Sequence, residues 1–100
     1  GGHRYGLGRD GKTEFPEQWD ISMVEHAIRA TLTQPQSIRV RGIEITCLRL
    51  VGGVVMKVVL RSKNDGHVIH AAYPECGHGV FRNERGIPTA LPLDFSVLEF

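Results

Sequence analysis

Acid–base chemistry near neutral pH needs side chains that titrate there, and the chain offers five histidines: His3, His26, His67, His70 and His78. His3 is set apart by its neighbours. Arg4-Tyr5-Gly6 follows it, Lys12 lies nine positions on, and glycines recur at positions 1, 2, 6, 8 and 11. Glycine lets backbone approach a ligand closely, and Arg4 and Lys12 bring positive charge. Cleavage of RNA by its own 2′-hydroxyl needs groups of this kind. A base takes the 2′ proton, an acid protonates the leaving 5′ oxygen, and a cation offsets charge building on the phosphorane. Histidine suits the first two roles and lysine the third, with no metal or cofactor required. Taken singly, His26 reads as a polar-side helix residue and His67 as an exposed residue after a turn.

Other chemistries fit less well. The letters GLGRDGKT, Gly6 to Thr13, match G-x-x-x-x-G-K-T. That phosphate cradle works only between a strand and a helix starting at the lysine. Here Phe15-Pro16 intervenes, so an ATPase is rejected. No G-x-S-x-G elbow occurs. The acidic residues Asp10, Glu14, Glu17 and Asp20 are scattered near caps and turns rather than paired. Cys47 and Cys76 form no CxxC and no zinc-type spacing. They read as two buried thiols, with one disulfide as the alternative. The net charge of +1 is too mild to argue for nucleic acid by itself. Arginine and lysine do cluster (Arg4, Arg9 and Lys12; Arg39, Arg41 and Arg49; Arg82 and Arg85), although a solvated surface is the default reading of each group. No apolar run in these 100 residues reaches membrane-spanning length, and none of them reads as a signal peptide.

The elements that must position these groups follow from periodicity. A hydrophobic fraction of 41% over 100 residues is that of one globular domain. Residues 1–18 read as a long loop, of the kind a compact domain keeps for function. Ile21, Val24, Ile28 and Leu32 then recur at helical spacing. Asp20 or Ser22 can cap that helix, Ser22 with Glu25 matching a capping box, and Pro35 ends it. From residue 38 the period becomes two. IRVRG is a short strand, and Ile43, Ile45 and Cys47 share a face of the next. Gly52-Gly53 suits a hairpin turn, and VVMKVVL, apolar but for Lys57, reads as a central strand. Asp65-Gly66 signals a second, type I′ turn, HVIHAAY returns, and Pro74 stops it. The tail from Glu75 reads as loop, with FSVLEF as an edge strand. The expected class is α+β: one main N-terminal helix packed on a curved antiparallel sheet, the other sheet face left free as a cleft.

The same residues resemble a known family. Gly1-Gly2-His3, then Gly11-Lys12-Thr13-Glu14-Phe15-Pro16 with Trp19, then a helix, then Ala71-Ala72-Tyr73-Pro74, is similar to the bacterial branch of the EndoU endoribonucleases. Those domains occur as C-terminal toxins of polymorphic and contact-dependent systems. NDGHVIHAAYP also looks like the final hairpin of the coronavirus uridylate-specific endoribonuclease. The resemblance covers residues 1–75 or so, with the elements in order.

The resemblance implies a fold of the barnase/EndoU/colicin/RelE group spanning residues 1–100, as the C-terminal part of a longer protein. His3, Lys12 and Tyr73 would be catalytic: a histidine for proton transfer, a lysine at the phosphorane, and a tyrosine orienting the substrate. Arg4, Thr13, His70 and Ala71 would contact the RNA. No metal or cofactor is implied. Products would carry a 2′,3′-cyclic phosphate and a 5′-hydroxyl, with uridine favoured and tRNA suggested by the toxin class. A cognate immunity protein is the implied partner, and delivery into a target cytoplasm the implied setting. Two departures stand out. The family's first histidine, upstream of its GGH, has no counterpart before His3 in this sequence, with His70 or His78 as the alternatives that would substitute for it, and Ala71 replaces the hydroxyl residue of TAYP. They define the alternative, an inactive ribonuclease-like binding or interaction domain. They also give an expectation that the chain is cut from a longer polypeptide.

Overall fold

The computed structural model describes residues 3–99; the expected motif residues Gly1 and Gly2 lie outside them, as does Phe100. The observed class is α+β. A 13-residue helix, α1 (Ile21–Thr33), is followed by a four-stranded antiparallel meander of β2 (Ser37–Arg41), β3 (Glu44–Val51), β4 (Val54–Lys63) and β5 (Gly66–Gly77). A second antiparallel sheet joins the two-residue β1 (Thr13–Glu14) to β6 (Phe81–Glu84) and β7 (Ile87–Ala90). No helix among the described residues is long and apolar enough to cross a membrane.

The helix starts where local chemistry says it should. Asp20 is extended at the N-cap, and its carboxylate accepts the Met23 N–H at 2.9 Å. Ala27 and Thr31 are buried, the Thr31 hydroxyl donating back to the Ala27 carbonyl at 2.7 Å. Ala27 packs with Phe15, Met56 and Val58, flanked by Val24, Ile28, Leu32 and Trp19. Ile21, counted in the apolar stripe, instead remains 65% exposed.

Directly paired residues share a sheet face. Met56, Val58 and Leu60, with their β5 partners Pro74, Ala72 and Ile69, form the face under α1. Lys57 and Val59, with Tyr73 and Ala71, form the other. That second face was expected to be wholly free, but half is covered. Leu91, Leu93, Val97 and Leu98 close over Leu48, Val55 and Cys76. The open half carries Arg39, Thr46, Lys57 and Tyr73.

Three turns show why the hairpins form where they do. Gly52 and Gly53 both take positive φ (55° and 79°), the geometry that matches strand twist in a two-residue hairpin. The next turn is displaced by one residue from expectation. Asn64-Asp65 are its centre, Asn64 takes φ 57°, and Gly66 already pairs with Lys63. Arg85 (φ 53°) and Gly86 (φ 79°) then close the β6–β7 hairpin within the segment expected to be loop.

Three further expectations are corrected. Residues 13–14 are a strand rather than loop, pairing with β6. Pro74 does not stop β5, which continues to Gly77. It lies on an edge strand beside a bulge, a setting that tolerates a residue without an N–H. Phe95–Leu98 is a 3₁₀ turn, not a strand, capped by Asp94 accepting the Ser96 N–H at 2.9 Å. Cys47 and Cys76 are both buried and free.

Candidate active site

His3 is fastened twice, once to β1 and once to the residue that follows that strand. Its carbonyl accepts the Phe15 N–H at 2.8 Å, and its ring Nδ1 lies 2.8 Å from the Thr13 carbonyl oxygen. A carbonyl can only accept, so Nδ1 carries the proton, and in the neutral ring Nε2 keeps its lone pair. The ring is half-buried. Burial is the largest influence on its pKa and lowers it. The hydrogen bond to Thr13 acts the other way, and the charges of Lys12 and Arg9 lower it further, so the net position is below the ordinary 6.5. His3 is therefore a neutral imidazole at pH 7, with its free nitrogen available as a base.

The His3 ring stacks on Tyr73, centroids 5.2 Å apart and planes 22° from parallel. Lys57 Nζ lies over the same tyrosine ring at 5.4 Å and 3.8 Å from a Glu75 carboxylate oxygen. Two β-bulges bracket this part of β5. His70 is the extra residue between Ile69 and Ala71, and Glu75 the extra residue between Pro74 and Cys76. Bulges re-aim side chains, and His70 borders two clefts. One, of about 470 Å³, runs between α1 and β5, with His3 and Arg4 at its polar rim and Ile21, Ile28 and Ile69 among its apolar walls. The other, of about 350 Å³, lies on the open sheet face with Arg41, Lys57 and Tyr73. Ala71 lines both.

The sequence-predicted residues are thus distributed as follows. His3 and Tyr73 are in ring contact. Arg4, His70 and Ala71 border the cleft that His3 borders. Lys12 is exposed, and its charge acts on His3. Thr13, expected against the substrate, is only 4% exposed; its carbonyl orients His3, and its hydroxyl lies 3.4 Å from Nδ1. Phe15 and Trp19 stack at 5.5 Å, and both pack against the core beneath α1, which ties the loop to the helix.

Two contributors went unrecognised. Glu14 is 1% exposed, and its carboxylate accepts from Gly6 N–H at 2.6 Å, Gly8 N–H at 2.7 Å and Asn83 Nδ2 at 2.6 Å. Burial, the largest single influence, pushes its carboxyl up. The bonds from Asn83, Gly8 and Gly6, with His3 nearby, outweigh burial and hold it below the ordinary value. The glycine amides that mimic a phosphate cradle are therefore satisfied internally, which explains the false nucleotide-binding signature. No spacing rule reaches Asn83, 69 positions from Glu14. Lys57 did leave a signal: it is the one charged residue in VVMKVVL.

Among the described residues, no three His, Cys, Asp or Glu side chains are grouped to hold a metal ion. No protein-family model, curated protein or solved structure matches the chain. Function must therefore be argued from the site itself.

Proposed function

We propose that this site cleaves RNA by internal transesterification. The observation that carries the reading is the state of His3: Nδ1 fixed on the Thr13 carbonyl, pKa lowered, ring seated on Tyr73, cations nearby. In the proposed step the 2′-hydroxyl gives its proton to His3 Nε2 as the O2′–P bond forms. The P–O5′ bond then breaks, and the 5′ oxygen takes a proton, leaving a 2′,3′-cyclic phosphate and a 5′-hydroxyl. Lys12 offsets charge on the phosphorane. Tyr73 supports the imidazole and offers a ring surface to the ribose or base. His70, on the same cleft as His3, is this chain's candidate for the proton donor.

The apolar cleft between α1 and β5 suits a nucleobase, with Arg4 and His70 at its polar edge. Ala71 offers that base no hydrogen bond, so selectivity for uridine is expected to be weak. The finer assignments belong to the same proposal: an EndoU-type toxin domain with the barnase/EndoU/colicin/RelE fold, tRNA as target, a cognate immunity protein, and delivery as part of a larger toxin.

The test is incubation of a uridine-containing RNA in EDTA with the native chain, His3→Ala, Lys12→Ala and Ala71→Thr. The expected losses are about 10²–10⁴-fold for His3→Ala and about 10²–10³-fold for Lys12→Ala, while Ala71→Thr sharpens uridine preference. RNA binding without cyclic-phosphate product in any of them would instead mark a binding domain.

A further inference from the structure

We propose that Lys57 and the sheet surface around it bind a backbone phosphate of single-stranded RNA, next to the bond cut at His3; the inference rests on the ribonuclease reading above. Lys57 stands in the middle of β4, between Val54-Val55-Met56 and Val58-Val59, all buried, and its side chain is 27% exposed. Stability offers no reason for a charge there. Its contacts with the Glu75 carboxylate at 3.8 Å and the Tyr73 ring at 5.4 Å are long. Partly buried ion pairs commonly exchange for well-packed apolar side chains without loss. A residue that breaks the local pattern without such a gain points to function.

Position argues the same way. Two shallow clefts, of about 230 and 350 Å³, share Lys57, Arg39 and Thr46 on their walls, and Arg41 lines the larger. The open half of the sheet thus places Arg39, Arg41 and the Thr46 hydroxyl around one ammonium, with the carboxylates of Glu44, Glu75 and Glu99 on the same walls. Arg61 holds one of these carboxylates, Glu44, with both Nε and a terminal nitrogen at 2.8 Å from one oxygen. Tyr73 joins the two subsites, with His3 stacked on its ring and Lys57 over it. An RNA chain with its reacting phosphate at His3 would cross the β5 edge at Ala71, which lines the clefts on both sides. Its next phosphate would then reach Lys57 and compete with Glu75 for the ammonium.

That competition gives a test with opposite signs. A 2′-O-methyl oligoribonucleotide, which cannot be cleaved, is titrated by fluorescence anisotropy over a salt series. Lys57→Met is expected to weaken binding several-fold, independent of base sequence, and to reduce the salt slope by about 0.7, the share of one phosphate contact on a single strand. Glu75→Gln is expected to tighten binding, because the ammonium is released. Thermal denaturation of both variants reports folding, and Lys57→Met is expected to be no less stable than the native chain. Native affinity and slope in Lys57→Met would overturn the proposal. So would weakening by Glu75→Gln to match Lys57→Met, which would make the pair structural. Cleavage is scored separately. Absence of cleavage alongside the predicted binding pattern would retire the ribonuclease reading and leave the phosphate subsite standing. Cleavage with binding indifferent to Lys57 would overturn the subsite alone.

Discussion

Replacing Glu14 by glutamine probes how the His3 loop is held. The carboxylate receives three hydrogen bonds: Gly6 N–H on one oxygen, and Gly8 N–H with Asn83 Nδ2 on the other. Glutamine keeps the shape but turns one oxygen into an NH₂. Depending on its orientation, one or two donors then face a donor in a site that is 1% exposed. A hydrogen bond to a charged group is worth ~1.5–3 kcal/mol, and a stranded buried donor costs a similar amount, so the change should cost about 2–5 kcal/mol. That corresponds to a fall in Tm of at least about 8 °C for a domain of this size. Urea denaturation gives the free energy, and hydrogen exchange at the Gly6 and Gly8 amides locates the loss. The pH dependence has a definite sign. Because Glu14 titrates below its ordinary 4.5 when folded, its contribution is complete above that value and lost as pH falls through the lower folded pKa. The glutamine variant should lose this part of the acid limb. Unchanged stability together with unchanged Gly6 and Gly8 protection would refute the anchoring role.

Three other outcomes follow from the geometry. His3 should titrate by NMR below 6.5, and because the unfolded ring binds protons more readily, its contribution to stability should fall as pH drops from 6.5 through the folded value. Gly77→Ala should be destabilised by more than ~1 kcal/mol in thermal unfolding, since a Cβ there would sit 2.5 Å from the Gly53 carbonyl oxygen and 2.6 Å from Val54 Cα. Phe15→Ala, at a residue 3% exposed in the core beneath α1, should cost about 3–5 kcal/mol by denaturant titration. It should also weaken protection of the His3 loop through the lost stacking on Trp19.

What could be read in advance was what depends on near neighbours. The Asp20 cap, the Val24–Ile28–Leu32 stripe and the Gly52-Gly53 turn each involve residues within a few positions, so pattern alone reveals them. The turn at Asn64-Asp65 was misplaced by one because Asn and Gly both tolerate positive φ, and cross-strand register decided between them. Pro74 misled because a missing N–H matters only where a neighbouring strand needs it. The second sheet was hidden because β1 is two residues long and its partner β6 begins beyond residue 80. Of the site, His3 and Tyr73 could be named before their contact was seen. Thr13 could not be placed correctly, because its contribution comes from a backbone carbonyl rather than its hydroxyl. Glu14 gave no sign of burial, since what offsets its charge is two glycine amides and a distant asparagine.

The central claim, that His3 is the base of an RNA transesterification, is tested most directly with a DNA oligonucleotide carrying one uridine ribonucleotide, incubated in EDTA and followed by ³¹P NMR. The account predicts cutting only 3′ to that ribonucleotide, a 2′,3′-cyclic phosphate resonance, and a rate that rises with pH through the lowered His3 pKa. It also predicts that this signal disappears in His3→Ala. Cleavage of equal rate and pH profile in His3→Ala, or no cyclic phosphate from the native chain, would contradict it.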